Sequence, residues 1–300
     1  PSDRLEATQR TDYAAVRQHK RPLILRAAQA LVDDPDHPWR RGLARFEREA
    51  TWAKNAAIFR AIKLARGGEP WWLWPESLRR CEPEAVAEAT REHERAVSQW
   101  TAALYLFERQ WGEVRSYAAA RGIQLMGDMP IYVGRDSADV WLNQSLFQLD
   151  DEGIPTALAG VPPDAYSDTG QLWGNPLFDW DAMAECGWAW WAARCRRMLE
   201  HCDALRIDHF IGFDRYWSVP AGAEDAREGA WNAGPGQAFF DGLGKLLGSL
   251  PLIAEDLGDV AESTHQLRDA VGLPGMRVAV FGYDGNPTNM HHPTQYPEHA

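Results

Sequence analysis

Two acidic residues stand directly behind short apolar runs: Asp208 closes residues 204–208 (ALRID), and Glu255 closes residues 252–255 (LIAE). If both runs are parallel strands, both carboxyls lie at strand ends and point the same way. A pair of carboxyl groups held like that can break a glycosidic bond. Retaining chemistry needs a carboxylate on one side of the anomeric carbon and a protonated acid on the other, about 5–5.5 Å apart, and adjacent strand ends can meet that distance. Arg206 shares a strand face with Asp208, so its guanidinium is expected to hold Asp208 ionised and aimed. Glu255, next to Asp256, is expected to keep its proton through like-charge repulsion and to serve as general acid. On spacing alone, a structural Arg206–Asp208 ion pair and an acidic helix start at Glu255-Asp256 fit the same residues.

The elements that must position these acids change in character near Gly122. Before it, apolar spacing predicts helices over 13–32, 46–64 and 83–120, with a proline-bracketed aromatic loop at 70–76 and Gly122 as a left-handed helix terminator. After it, strands are predicted over 123–133, 204–208, 252–255 and 276–281. Helices are predicted over 181–202, 237–247 and 260–271, with a loop-rich stretch at 150–179. Strands alternating with helices predict a parallel sheet with crossovers. Asp128, Asp208 and Glu255 all fall at or just past the carboxyl end of a predicted strand, which is the active-site rule of the (β/α)8 barrel. A doubly wound sheet would want a glycine-rich phosphate turn, and none is present. The expected fold class is α/β, a partial TIM barrel at 122–300 with a helical subdomain at 1–121.

Composition narrows the partners. The 300 residues carry 43 acidic against 31 basic side chains, a net charge of −12, which argues against nucleic acid or an anionic membrane as partner. Cys81, Cys186, Cys195 and Cys202 form no metal-like spacing. Cys195 and Cys202 read as buried thiols on one face of the helix predicted there. With no apolar run near 18 residues and no signal-like segment, a soluble, cytoplasmic protein is expected. The 15 tryptophans exceed ordinary usage; most are expected to be core, and those beside the acidic strand ends are candidates to stack on sugar rings.

Several motifs, in order, then point to one family. GIQLMGDMPIYVGRDSADVW at 122–141, AGVPPDAYSDTGQLWGNPLFDWD at 159–181, ALRIDHFIGFDRYW at 204–217 and IAEDLG at 253–258 closely resemble the amylomaltases, the 4-alpha-glucanotransferases also called disproportionating enzymes. The helix at 52–63, GGEPWWLWPESLR at 67–79, FERQW at 107–111 and GLPGMRV at 272–278 extend the resemblance over nearly the whole chain. It implies a cytoplasmic, cofactor-free and metal-free enzyme of the alpha-amylase superfamily that moves α-1,4-glucan segments between maltooligosaccharides. By position in these motifs Asp208 matches the nucleophile, Glu255 the acid/base, Arg206 the supporting arginine, and Asp128 the aspartate beside the substrate. His209 matches a histidine near the scissile sugar; read alone, a histidine after a strand is a structural hydrogen-bonder. The loop at 160–175 resembles the segment that covers the glucan, with Tyr166, Gln171 and Trp173 as sugar contacts; the alternative is that its prolines and Trp173 only stiffen and pack the loop.

Two positions depart from the family pattern: Ala165, where many members carry an aromatic, and Ile211, where many carry arginine. The resemblance also puts a third carboxylate, in a Thr-His-Asp segment, beyond residue 300 and the first barrel strand before residue 1. The chain is therefore expected to be an internal fragment that closes an incomplete barrel and has little or no activity by itself. Three rival readings are an alpha-amylase-type hydrolase, a non-catalytic glucan-binding module, and a metal-dependent barrel hydrolase using His209, His291 and His292. The first lacks the calcium-loop pattern such enzymes usually carry, and the last lacks a strand-end H-x-H pattern.

Overall fold

The computed structural model describes residues 10–164, 167–258 and 260–297. The chain divides into two compact units, one ending at Val114 and the other beginning at Arg115.

Among its described residues the first unit is helical: α1 (Tyr13–Asp33), α2 (Arg40–Glu49), α3 (Thr51–Ala65), α4 (Glu76–Arg79), α5 (Pro83–Glu92) and most of α6 (Glu94–Ala119). The Asp12 carboxylate caps α1 by accepting from the Ala14 and Ala15 N–H groups at 2.9 and 3.0 Å. Ala28 and Leu31 of α1, Leu43 of α2, and Ala102, Ala103 and Tyr105 of α6 form a buried cluster. The helix predicted over 46–64 is two helices, broken at Ala50, whose ψ of 70° leaves the helical region. Apolar spacing continues across the break because Phe46 and Trp52 still meet edge to face, so periodicity alone does not register it. The helix predicted over 83–120 is likewise interrupted at His93 alone. Gly122 adopts φ 68°, and the Ile123 N–H closes on the Ala118 carbonyl, as expected of a left-handed terminator.

The second unit contains β1 (Met126–Pro130), α7 (Ala138–Leu142), β2 (Ala157–Val161), β3 (Gln171–Pro176), α8 (Trp180–Glu185), α9 (Ala189–Leu199) and β4 (Ala204–Asp208). It continues with β5 (Arg215–Pro220), β6 (Ala230–Ala233), α10 (Gly236–Leu247), β7 (Leu252–Ala254) and α11 (Glu262–Ala270). Strands β1, β4 and β7 make a parallel sheet in that order, with α8–α9 and α10 as crossovers. This is an α/β arrangement, and the parallel pairing with helical crossovers is the one expected from the sequence.

A second sheet is antiparallel, in the order β3-β2-β5-β6. Half of it lies in the stretch expected to be loop. Its strands escaped the sequence because glycine and proline interrupt them and because β2 finds its partner β5 far along the chain. The strand expected at 276–281 is absent: the Met276 and Val278 N–H groups go to Asp256 and His291 side chains, and a 3-10 turn follows at Ala279–Gly282. The helix expected at 181–202 breaks at Gly187 and Trp188, both with positive φ. Cys202 consequently lies beyond the end of α9. Both it and Cys195 are buried free thiols, and burial pushes the Cys195 thiol up to about 11.

An aromatic cluster packs behind the parallel sheet. Phe213 stacks on Phe239 at 4.7 Å, Trp191 meets Phe239 at 5.3 Å, and Phe178 meets Trp180 at 4.9 Å. Such pairs contribute about 0.5–1.5 kcal/mol each beyond their burial. They tie α8, α9 and α10 to the turn that follows β4. From the same layer Arg194 donates to the Pro130 and Ile131 carbonyls, which pins the carboxyl end of β1. Trp141, Trp188 and Trp191 are buried core, Trp180, Trp190 and Trp217 half-buried, and Trp173 and Trp231 stay exposed, so fewer tryptophans of this unit are core than expected. Among the described residues no helix is long and apolar enough to cross a membrane.

Gly160 carries the β2–β3 hairpin, since a Cβ there would collide with the Gln171 carbonyl oxygen. Gly160→Ala is expected to destabilise the protein by about 1–3 kcal/mol, read as a lower midpoint in urea unfolding with an unchanged slope. An unshifted midpoint would contradict the tight pairing.

Candidate active site

The register of the parallel sheet assembles the site. Asp128 pairs with Arg206, and Pro130 with Asp208. Side chains two apart share a face, so Arg206 and Asp208 project together beside Asp128. Arg206 joins them: its Nη1 lies 2.6 Å from Asp128 Oδ1 and its Nη2 2.7 Å from Asp208 Oδ1. Burial works against the guanidinium charge, but the Asp128 hydrogen bond and the charges of Asp208, Asp128 and Glu255 outweigh it, so its pKa is raised. Asp128 lies inside β1 rather than at its end, a correction to the expected placement; the arginine bridge reaches it there.

Glu255 follows β7 directly. Because Ile207 pairs with Ala254, Asp208 and Glu255 are the next residues along adjacent strands, which run about 4.8 Å apart in any sheet. The Glu255 carboxylate is held at both oxygens: Oε2 accepts from the His209 N–H at 2.7 Å and Oε1 from the Leu257 N–H at 3.1 Å. Its pKa is raised nonetheless. Burial is the largest cause and the Asp208 charge adds to it, against the two N–H groups and Arg206. Asp256 plays no part in that rise, contrary to the expectation from the adjacent acids. Its side chain is fully buried and is neutralised by Arg268 and Arg277. Nor is the pair a helix start, since α11 begins only at Glu262.

His209 turns the chain after β4 with φ 60°, a left-handed conformation that costs a non-glycine residue about 1–3 kcal/mol. That turn points its N–H at Glu255. Its ring is buried, its Nε2 has no hydrogen-bond partner among the described residues, and burial lowers its pKa to about 4. Trp173 of β3 meets this ring edge to face at 4.8 Å, and the Trp173 indole N–H donates to Gln171 Oε1 at 3.1 Å. The hairpin thus reaches His209, the residue after Asp208, through Trp173. Tyr166 and Ala165 lie outside the described residues. Ile211 is buried in the 3-10 turn Phe210–Phe213. His291 and His292 are engaged by Val278 and Thr294, and among the described residues no three His, Cys, Asp or Glu side chains group to hold a metal ion.

The comparisons with known proteins agree with one another. A family model described as 4-alpha-glucanotransferase, glycoside hydrolase family 77, matches residues 2–300. The chain belongs to that family. The 4-alpha-glucanotransferase of Thermus thermophilus is 42% identical over 292 residues, covering 97% of this chain and 58% of that protein. The chloroplastic/amyloplastic 4-alpha-glucanotransferase of Solanum tuberosum is 41% identical, covering 95% and 50%. The structure of the amylomaltase from Streptococcus agalactiae in complex with acarbose superposes with a TM-score of 0.91 at 37% identity, covering 97% of this chain and 59% of that one. This chain therefore spans 50–59% of the length of these relatives.

Within this member of the 4-alpha-glucanotransferase family, the structure brings together Asp128, Arg206, Asp208, Glu255, His209 and Trp173, with Gln171 attached through Trp173. Sequence reasoning missed the two backbone N–H groups on Glu255, one of which, from His209, depends on a left-handed turn at a histidine. It also missed Met276, whose sulfur lies 3.2 Å from Arg206 Nε; the motif GLPGMRV drew attention to the segment, but a methionine reads as core.

Burial makes a sign prediction for His209. Its folded pKa lies below the ordinary value near 6.5, so the stability it contributes is present above that pH and is lost as pH falls toward about 4. A nitrogen-15 titration of the His209 ring should show it neutral at pH 6, with its midpoint near 4; a midpoint at the ordinary value would contradict a dry, desolvated ring.

Proposed function

We propose that these residues carry the bond-breaking centre of a 4-alpha-glucanotransferase working by retaining double displacement. The observation that carries the reading is the Arg206 bridge between Asp128 and Asp208, set one strand away from a Glu255 whose proton is favoured by burial. Asp208 attacks C1 of the donor glucan, and the C1–O4 bond breaks as Glu255 gives its proton to the departing O4. The resulting glycosyl ester on Asp208 is then attacked by the 4-hydroxyl of an acceptor, which returns its proton to Glu255 and restores the Asp208 carboxylate. Neighbouring strand ends suit the spacing of about 5–5.5 Å that this needs, whereas an inverting pair stands about 6.5–9.5 Å apart.

The substrates are maltooligosaccharides and α-glucans. Asp128 is a ligand for sugar hydroxyls beside the scissile bond. The Nε2 of the neutral His209 ring, unpartnered among the described residues, is suited to another. Gln171 and Trp173 on the β2–β3 hairpin, together with Tyr166 by its place in the family motif, would cover the bound chain, and a partly apolar cover favours an incoming sugar over water. The acarbose complex of the Streptococcus agalactiae relative supports a glucan-like ligand. The three parallel strands are read as part of a (β/α)8 barrel at 122–300, with 1–121 as its helical subdomain and the cytoplasm as its location.

The test uses the protein at the length of its relatives, incubated with maltotriose. Transfer gives glucose together with maltotetraose and longer chains at constant total reducing ends, and Asp208→Asn should lower it by orders of magnitude. Rising reducing ends with maltose and glucose would make the protein a hydrolase. An unchanged substrate would leave a glucan-binding module.

A further inference from the structure

Arg206 has one further guanidinium nitrogen besides the two that meet carboxylates. Its Nε lies 3.2 Å from the Met276 sulfur. Met276 follows α11, off the parallel sheet, and its backbone N–H donates to Asp256 Oδ1 at 2.7 Å. Asp256 is itself fixed from the other side, where Arg268 meets its Oδ2, with Arg277 and His265 each at 3.5 Å. Gly275 lets the backbone come this close, since a Cβ there would stand 2.6 Å from Asp256 Oδ2 and 3.0 Å from Arg268 Nη1. A continuous series of contacts therefore runs from the buried Asp256 through Met276 to the guanidinium.

A thioether suits this position. It is a weak acceptor without charge, so it engages Nε while leaving the guanidinium charge to Asp128 and Asp208. With Nε, Nη1 and Nη2 all occupied, the plane of the fork is fixed, and that plane sets where Asp208 Oδ1 rests. Small misplacement of a reacting group is costly, up to about 100-fold for about 1 Å. We infer that Met276, held by Asp256, is a positioning residue for the nucleophile, orienting Asp208 through Arg206. This rests on the reading of Asp208 as nucleophile in glucan transfer.

Two substitutions test it in the protein at the length of its relatives. Met276→Leu keeps the volume and removes the acceptor; Met276→Gln keeps the reach and supplies a carbonyl acceptor. Met276→Leu is expected to lower kcat for maltotriose about tenfold, equivalent to about 1.4 kcal/mol, with KM changed by less than about twofold and Met276→Gln recovering most of the loss. The Arg206 Nε–H resonance, assigned as the one lost in Arg206→Lys, should move in Met276→Leu whatever the activity. If Met276→Leu turns over like the wild type, or if Met276→Gln is as slow as Met276→Leu, Met276 is only packing. A wild-type protein that does not transfer would instead sink the functional reading, and this inference with it.

Discussion

The Arg206 fork is the interaction on which the rest of this site depends. Asp128 and Asp208 come from neighbouring strands and would repel each other if nothing stood between them. One guanidinium satisfies both, at 2.6 and 2.7 Å, and does so at a side chain only 20% exposed, where charge-assisted hydrogen bonds are strong and geometrically demanding. The bridge is weak evidence for stability, because its two carboxylates stay 66% and 46% exposed, where ion pairs contribute little. Its use here is orientation, and the fold is arranged to hold the strands that carry the three groups.

Those strands are held from behind. Aromatic packing among Phe178, Trp180, Trp191, Phe213 and Phe239 fixes α8, α9 and α10 against the turn after β4. The Arg194 bonds fix the end of β1. His209 then does two things with one conformation: its left-handed backbone sends an N–H to Glu255, and its ring closes against Trp173. Local strain at a non-glycine residue is tolerated where surrounding contacts over-determine it, and here both neighbours are part of the site.

β4 and β7 were legible because each is a short apolar run with an acid at or just past its end, and the Arg206–Asp208 alternation could be read directly from a period of two. The family motifs then gave these acids their proposed roles. The antiparallel sheet was not legible. β2 is made of Ala-Leu-Ala-Gly-Val, β3 contains Gly174 and ends in Pro176, and their stability comes from pairing with each other and with β5, a tertiary effect that local propensity does not carry. Helix breaks at Ala50 and at Gly187-Trp188 were hidden for the complementary reason, since apolar contact continues across each, through Phe46 and Trp52 in one case and Trp180 and Trp191 in the other. The expected cause of the raised Glu255 pKa was also wrong: adjacency to Asp256 in sequence meant little because successive side chains at a strand end point to opposite sides, and burial beside Asp208 supplies the effect instead.

The central claim is that Asp208, oriented by Arg206, forms the covalent bond to sugar. Its most direct measurement is intact-protein and peptide mass spectrometry after mixing Glu255→Gln, in the protein at the length of its relatives, with an α-maltosyl fluoride. Fluoride leaves without acid assistance, so the first step proceeds and the second stalls for want of a base. The expected result is one maltosyl adduct, located on the peptide containing Asp208 and absent in the double variant with Asp208→Asn. An adduct on Asp128, or its persistence when Asp208 is replaced, would contradict the assignment.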